Sequence, residues 1–174
     1  MNKKIRLRWE TLCRIHVLTK HYVLLAEENG FQMKTFLQPL KEQRDAYEHL
    51  VRAYSKIIDS NERDMHYIIS NLDKAIGHEY RAFFDSIDYL TLTIRERVYE
   101  LVKSYSLDEL KTLCPDYMII KRRLNNLPNE IAEYREKKDV GNNNMLLFAK
   151  QYGDLMERLL VDTNNLEKCL IENA

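Results

Sequence analysis

Apolar residues recur every three or four positions along most of this 174-residue chain, and each such run predicts a helix. The first run, about Ile5–Glu28, puts Ile5, Trp9, Leu12, His16, Thr19, Val23 and Ala26 on one stripe. Leu7, Leu18 and Leu25 form a second stripe behind it. A helix apolar on two sides is either central in a bundle or half of an oligomer interface. Asn29-Gly30 is its stop signal. A second helix is expected from about Lys34 to Ser60, with Asn61 separating it from a long third helix over about 62–104. There Met65, Ile69, Leu72, Ile76, Phe83, Ile87, Leu90, Ile94, Val98 and Leu101 keep helical spacing, and Gly77 is a candidate bend. About 40 residues at about 1.5 Å each span roughly 60 Å, longer than a small domain is wide. Either this helix is broken, or its end packs on a partner.

"SLDELKTLCPDY" opens with a capping box, Ser106 to Glu109, and Pro115 ends that short helix. A fifth helix is expected over about Asp116–Asn126, restarted by Pro128 to about Lys138. "DVGNNN" is the clearest loop. A final helix, about Asn144–Glu172, turns Met145, Phe148, Tyr152, Leu155, Leu159, Leu166 and Leu170 inward. No repeat or low-complexity segment interrupts the order. The expected fold is therefore a single all-α domain over 1–174, a bundle of about five to six helices around one long central helix. Gly (4) and Pro (3) are too scarce for a turn-rich β fold.

The second helix raises a specific question. Its apolar stripe reads Leu37, Leu40, Tyr47, Val51, Tyr54 and Ile58, with steps of 3, 7, 4, 3 and 4. The 7 skips one turn, and Arg44 occupies the missing place. Asp45 follows directly, and His49 comes four intervening residues after Arg44. "RDAYEH" (44–49) resembles the signature of the HEPN superfamily, small helical-bundle proteins whose motif is an arginine, a polar residue and a histidine four to six residues on. In the family's best-known form the polar residue is asparagine; here it is Asp45. The resemblance covers one motif and an all-α setting. It implies a metal-independent endoribonuclease in a toxin or defence setting, often dimeric with the motifs facing across the interface, with a protein partner or antitoxin to restrain it. No cofactor and no metal are implied.

The residue types suit that chemistry. Cleavage of RNA by its own 2′-OH needs a proton acceptor near neutrality and a fixed cation on the phosphorane. His49 would handle the proton, Arg44 would hold the phosphate through its fork of donors, and Asp45 would orient them. The bland alternative is that Arg44 snorkels from a helix edge to Glu48 and that His49 is a surface residue. Five positions on a helix differ by about 140°, so one helix would not clamp one phosphate with both side chains. A dimer could pool residues from two chains. Arg14 and His21 form a second, looser match without the polar follower.

"HEYRAFFDSIDYL" (78–90) is the other dense cluster: either an ordinary Arg81–Asp85 ion pair or a substrate-positioning face beside the second helix. Lys121, Arg122 and Arg123 with Tyr117 nearby make a local basic patch, a solvated face or an auxiliary RNA contact. His16 reads as a satisfied core histidine. A di-iron site is set aside, since no Glu-x-x-His occurs.

Composition narrows the choices further. Lys+Arg and Asp+Glu are both 27, so there is no global basic field for nucleic acid or a membrane surface. RNA would need a local patch or a dimer groove. Cys13, Cys114 and Cys169 stand far apart without a pairing pattern, which predicts free thiols in a reduced, cytoplasmic protein. Arg8, Glu10, Arg14 and His16 interrupt any leader-like apolar run, and no membrane span is expected. Self-association, most simply as a homodimer, follows from the doubly apolar first helix and the length of the third. Two functional alternatives stay open beside the ribonuclease: a non-catalytic helical interaction module, degenerate HEPN-like or unrelated, and a small-ligand sensor.

Overall fold

The computed structural model describes residues 2–30, 37–58, 64–136 and 144–173. Six helices are found among them: α1 Lys3–Glu28, α2 Leu37–Ile58, α3 Met65–Val102, α4 Leu107–Leu113, α5 Tyr117–Glu136 and α6 Met145–Asn173. The protein is an all-α helical bundle. The expected start of the second helix at Lys34, its end at Ser60, the break at Asn61, the stop at Lys138 and most of "DVGNNN" lie outside the described residues.

The helix ends follow local chemistry. The Asn2 side chain accepts from the Lys4 amide, the Asp64 side chain accepts from the Tyr67 amide, and the Ser106–Glu109 capping box closes in both directions. α1 does stop at Asn29, but without a left-handed residue. The Asn29 side-chain amide instead donates to the Leu25 carbonyl at 2.8 Å. The fifth and restarted helices are one: α5 runs through Pro128. A proline inside a helix removes one backbone hydrogen bond. Burial of Leu127 and Ile131 on either side holds the helix together across that gap.

α3 is unbroken through Gly77 and central. From Leu72 to Val98 it is buried on nearly every side, including the consecutive Ala82, Phe83 and Phe84. Its length is covered in sections. α1 runs alongside in the same direction, since Arg8 meets Asp73, Tyr22 meets Phe83 and Asn29 meets Arg97. α2 runs antiparallel over the first half, where Glu42 meets His78 and His49 meets Asn71. α6 runs parallel over the second half, where Tyr152 meets Asp88, Thr91 meets Met156 and Arg97 meets Glu167. α5 lies antiparallel on α6, with Tyr134 stacked on Tyr152 and Arg123 paired to Asp162. The far end of α3 therefore does not protrude: Val98 packs in one core with Leu110 of α4 and Leu166 and Leu170 of α6.

The expected inward face of α6 is buried apart from the half-buried Phe148. On α1, Ile5, Leu12, Thr19, Val23 and Ala26 are buried, joined by Ile15 and Tyr22. Trp9 and Leu18 are half-buried, but Leu7 is exposed, so the second stripe is mostly a flank. α2 differs. Its buried residues are Pro39, Glu42, Ala46 and Ala53. Its apolar stripe, from Leu37 to Ile58, faces solvent, with Tyr47 68% and Ile58 64% exposed. The continuous exposed apolar stripe lies on the second helix; on the first, Leu7, Val17 and Leu24 are exposed.

None of the three cysteines is in a disulfide, with Cys13 exposed and Cys114 buried. Cys114 and Cys169 are hydrogen-bonding neighbours, a pairing their sequence spacing does not announce. Burial first, then the Cys169 thiol, pushes the Cys114 thiol up to about 11, which keeps it protonated and inert as a nucleophile.

α1 and α6 come close where Gly153 faces the Tyr22 ring: a Cβ there would lie 2.9 Å from Cζ and nearer still to Oη. Tyr22 is buried and set edge-on against Phe83, so it cannot swing away freely. With the ring held in place, Gly153→Ala is expected to cost about 2–3 kcal/mol in overpacking, against about 1 kcal/mol gained from helix propensity. A fall in Tm of roughly 2–8 °C in a thermal melt is the expected outcome. An unchanged or higher Tm would mean that the ring moves aside.

A candidate site in the cleft between α2 and α3

The buried face of α2 carries a carboxylate. Glu42 is 9% exposed, and a buried charge is stable only when paired. Its partners come from α3. Glu42 Oε2 accepts from Arg81 Nε at 2.8 Å and lies 2.8 Å from His78 Nδ1. The Gln38 amide reaches Oε1 at 3.5 Å. Burial pushes the Glu42 carboxyl up, but the hydrogen bonds from Arg81 and His78 outweigh it and hold it below the usual carboxylate range.

About two turns along α2, His49 turns to the same side. Its Nδ1 lies 2.9 Å from Asn71 Oδ1, and its ring stacks on His78 at 5.3 Å between centroids and 21° between planes. The network fixes its tautomer. Asn71 Nδ2 donates to the Tyr67 carbonyl at 2.9 Å, which leaves Oδ1 as the acceptor facing His49. His49 Nδ1 therefore carries the hydrogen, and neutral His49 keeps a bare Nε2. His78 is placed differently. Its Nδ1 lies between an acceptor, Glu42 Oε2, and a donor, Arg81 Nη2 at 2.7 Å. It can donate to the first or accept from the second, but not both. The charged imidazolium takes the first arrangement; a neutral ring with a bare Nδ1 takes the second.

His49, His78 and Arg81 border a cleft of about 710 Å³. α3 supplies most of its wall from His66 to Arg81, including Ser70, Asp73 and Lys74, and His49 of α2 closes one side. Asp73 is already held by Arg8 of α1 at 2.8 Å, and Glu42 by Arg81. With those acids matched, the cleft is rich in protonatable and cationic nitrogen. Among the described residues no group of three or more His, Cys, Asp or Glu side chains is set to hold a metal ion.

Of the three site residues expected from the sequence, His49 lines this cleft and Arg44 and Asp45 do not. Arg44 is exposed, and its Nη2 pairs with Asp45 at 2.8 Å, a hydrogen bond that raises the guanidinium and lowers the carboxyl. Arg44 and His49 thus do not share a groove within one chain. The second cluster, "HEYRAFFDSIDYL", divides into separate roles. His78 and Arg81 hold Glu42, buried Glu79 meets exposed His16 at 2.9 Å, and Asp88 binds Arg135 and Tyr152. Arg81 does face α2, as one of its two sequence readings had it. Asn71, His78 and Glu42 escaped the sequence because their partners lie 22 to 39 positions away.

His21 of the looser match pairs with Glu157 across an α1–α6 groove that Arg14 also lines. In the basic patch Arg123 is paired to Asp162 and Lys121 sits 5.8 Å over the Tyr117 ring. No helix among the described residues is long and apolar enough to cross a membrane. No family model, curated protein or solved structure matches this chain.

Since its partners hold the Glu42 carboxyl below its ordinary value, the ionised form stabilises the fold above the ordinary carboxylate range. That contribution is lost as pH falls through the lowered value. Glu42→Gln is expected to cost about 1–3 kcal/mol in urea unfolding at pH 7, because two donors lose a charged acceptor. The gap to wild type should close as the pH is lowered through the acid range. A gap that stays constant with pH would refute the ionic role.

Proposed function

We propose that this protein is a metal-independent endoribonuclease whose chemistry takes place in the α2–α3 cleft, with His49 and His78 as the proton-transferring pair. The observation that carries this reading is a pair of stacked imidazoles with unlike partners, His49 on the Asn71 amide and His78 on the Glu42 carboxylate. His49 is bonded through Nδ1–H to Asn71 and offers Nε2 as a base. His78 faces a carboxylate kept ionised, the partner an imidazolium needs. A base and an acid side by side is what transesterification of RNA requires.

In the proposed reaction His49 Nε2 takes the proton of the 2′-OH, and that oxygen attacks the adjacent phosphorus. The bond from phosphorus to the 5′-oxygen breaks, and the leaving oxygen takes a proton from His78. The products are a 2′,3′-cyclic phosphate and a 5′-hydroxyl. Arg81 and Lys74, on the cleft wall, are the cations for the phosphate oxygens. The resemblance of "RDAYEH" to HEPN proteins supports the substrate class and gives the phosphate role to Arg44; the cleft gives it to Arg81. A second reading, a non-catalytic interaction module, is favoured by the exposed apolar stripe of α2.

The test is cleavage of total RNA by purified protein in EDTA, with end-group analysis of the products. His49→Ala should lower the rate about 10²–10⁴-fold, the usual contribution of a positioned base or acid. Arg81→Ala should cost about 10²–10³-fold, and Arg44→Ala less than tenfold. Loss with Arg44→Ala and retention with Arg81→Ala would return the phosphate role to Arg44. Wild type that cuts no RNA, with or without divalent metal, would refute the ribonuclease and leave the interaction module.

A further inference from the structure

The exposed stripe of α2 has a period of its own. With Arg44 included, its residues are separated by 3, 4, 3, 4, 3 and 4 positions. Leu37, Arg44, Val51 and Ile58 fall on the a places of a heptad, and Leu40, Tyr47 and Tyr54 on the d places. All seven are exposed. A strict average of 3.5 is the repeat of a seam between two supercoiled helices, whereas a helix facing a mixed core drifts at 3.6. Glu42 and His49 fall on f places, opposite the seam, and face α3. The seam thus fits a second helix on the outer side of α2.

We propose that this helix is α2 of a second copy of the chain, running antiparallel about a twofold axis between Asp45 and Ala46. A parallel, in-register pair would press Arg44 against the Arg44 of the other copy in a desolvated layer, which like charges forbid. Antiparallel pairing sets each a place opposite a d place. With the axis so placed, Leu37 meets Tyr54 and Leu40 meets Val51 of the second copy. Arg44 lies on the Tyr47 ring, a cation–π contact. The flanking e places then set Lys41 beside Glu48 of the second copy, once on each side of the axis, where it joins the Glu48–Arg52 pair within that helix.

The size is adequate but small. The stripe runs the full length of a 22-residue helix, about 33 Å. In this register the two helices overlap over residues 37–54, about 27 Å, and bury on the order of 800–1,000 Å², at the low end for a specific interface. The dimer should therefore form at micromolar concentration and leave both α2–α3 clefts outward-facing. It does not depend on the chemistry of those clefts.

Sedimentation equilibrium of the full chain from 1 to 100 µM tests this, with circular dichroism as a check on folding. Wild type should pass from 20.9 kDa to twice that mass across the range. Val51→Glu should weaken the dimer at least about 100-fold with helicity unchanged. Lys41→Glu and Glu48→Lys should each weaken it about tenfold, and the double variant should return to within about threefold of wild type. Wild type that stays monomeric at 100 µM overturns the proposal. A dimer indifferent to Val51→Glu places the interface elsewhere and overturns it equally. Sensitivity to Val51→Glu without charge-swap rescue overturns the antiparallel register.

Discussion

Burial of the Glu42 carboxylate decides how α2 sits on the bundle. A carboxylate with about a tenth of its surface exposed needs charged or donating partners. α3 provides them one turn apart, at His78 and Arg81. Once Glu42 is placed there, the rest of α2 is fixed by helical geometry. Ala46 and Ala53, at four and eleven residues on, fall on the same side and let the two backbones approach. His49 and Leu50 flank them, so an imidazole enters the contact and stacks on His78. The large apolar residues of the stripe point outward, while Leu50 and Ile57 are half-buried against the core.

Such an arrangement is costly in isolation. It exposes Tyr47, Val51, Tyr54 and Ile58 while burying an acid, the reverse of what transfer free energies favour. Two features offset that. The main core forms between the other helices, where Phe83 and Phe84 link α1 to α6 through Tyr22 and Tyr152, and α2 adds Ala53, Leu50 and Ile57 to a smaller cluster with Ile5, Ile68 and Leu72. And the ionic contact to Glu42 is made with two donors, which is the condition under which a buried charge is tolerated. The main core thus lies between α1, α3 and α6, and α2 packs on α3 through small and polar residues while its large apolar stripe stays outside.

Periodicity made the bundle legible. The core positions of α3 and α6, the capping box at Ser106 and the all-α class are local patterns, and local patterns survive folding. Where the reading fell short, the deciding interaction was non-local. Pro128 looked like a restart because its missing donor is visible in sequence, while the burial of Leu127 and Ile131 that carries α5 through it is not. For Arg81 the spacing to Asp85 was visible in sequence, but the bond from its Nε to Glu42, 39 positions back, was not. His49 was singled out with Arg44 because they are neighbours in a motif. Its partners in space are Asn71 and His78, which no spacing rule connects to it.

The α2 stripe holds a more general lesson about amphipathic helices. Apolar periodicity says that a face will be covered, not by what. A core-facing helix of a globular bundle carries a broad apolar stripe, three or four places in every two turns, and tolerates drift. A seam limited to a and d places, kept in phase over 22 residues, is narrower and matches one helix at a time. Arg44 fits that distinction. In a core it would be a charge without a reason, whereas in a helix-to-helix seam one polar a place selects register and orientation at some expense of stability. The residue that looked like a flaw in a core stripe is the kind of residue that makes a seam specific.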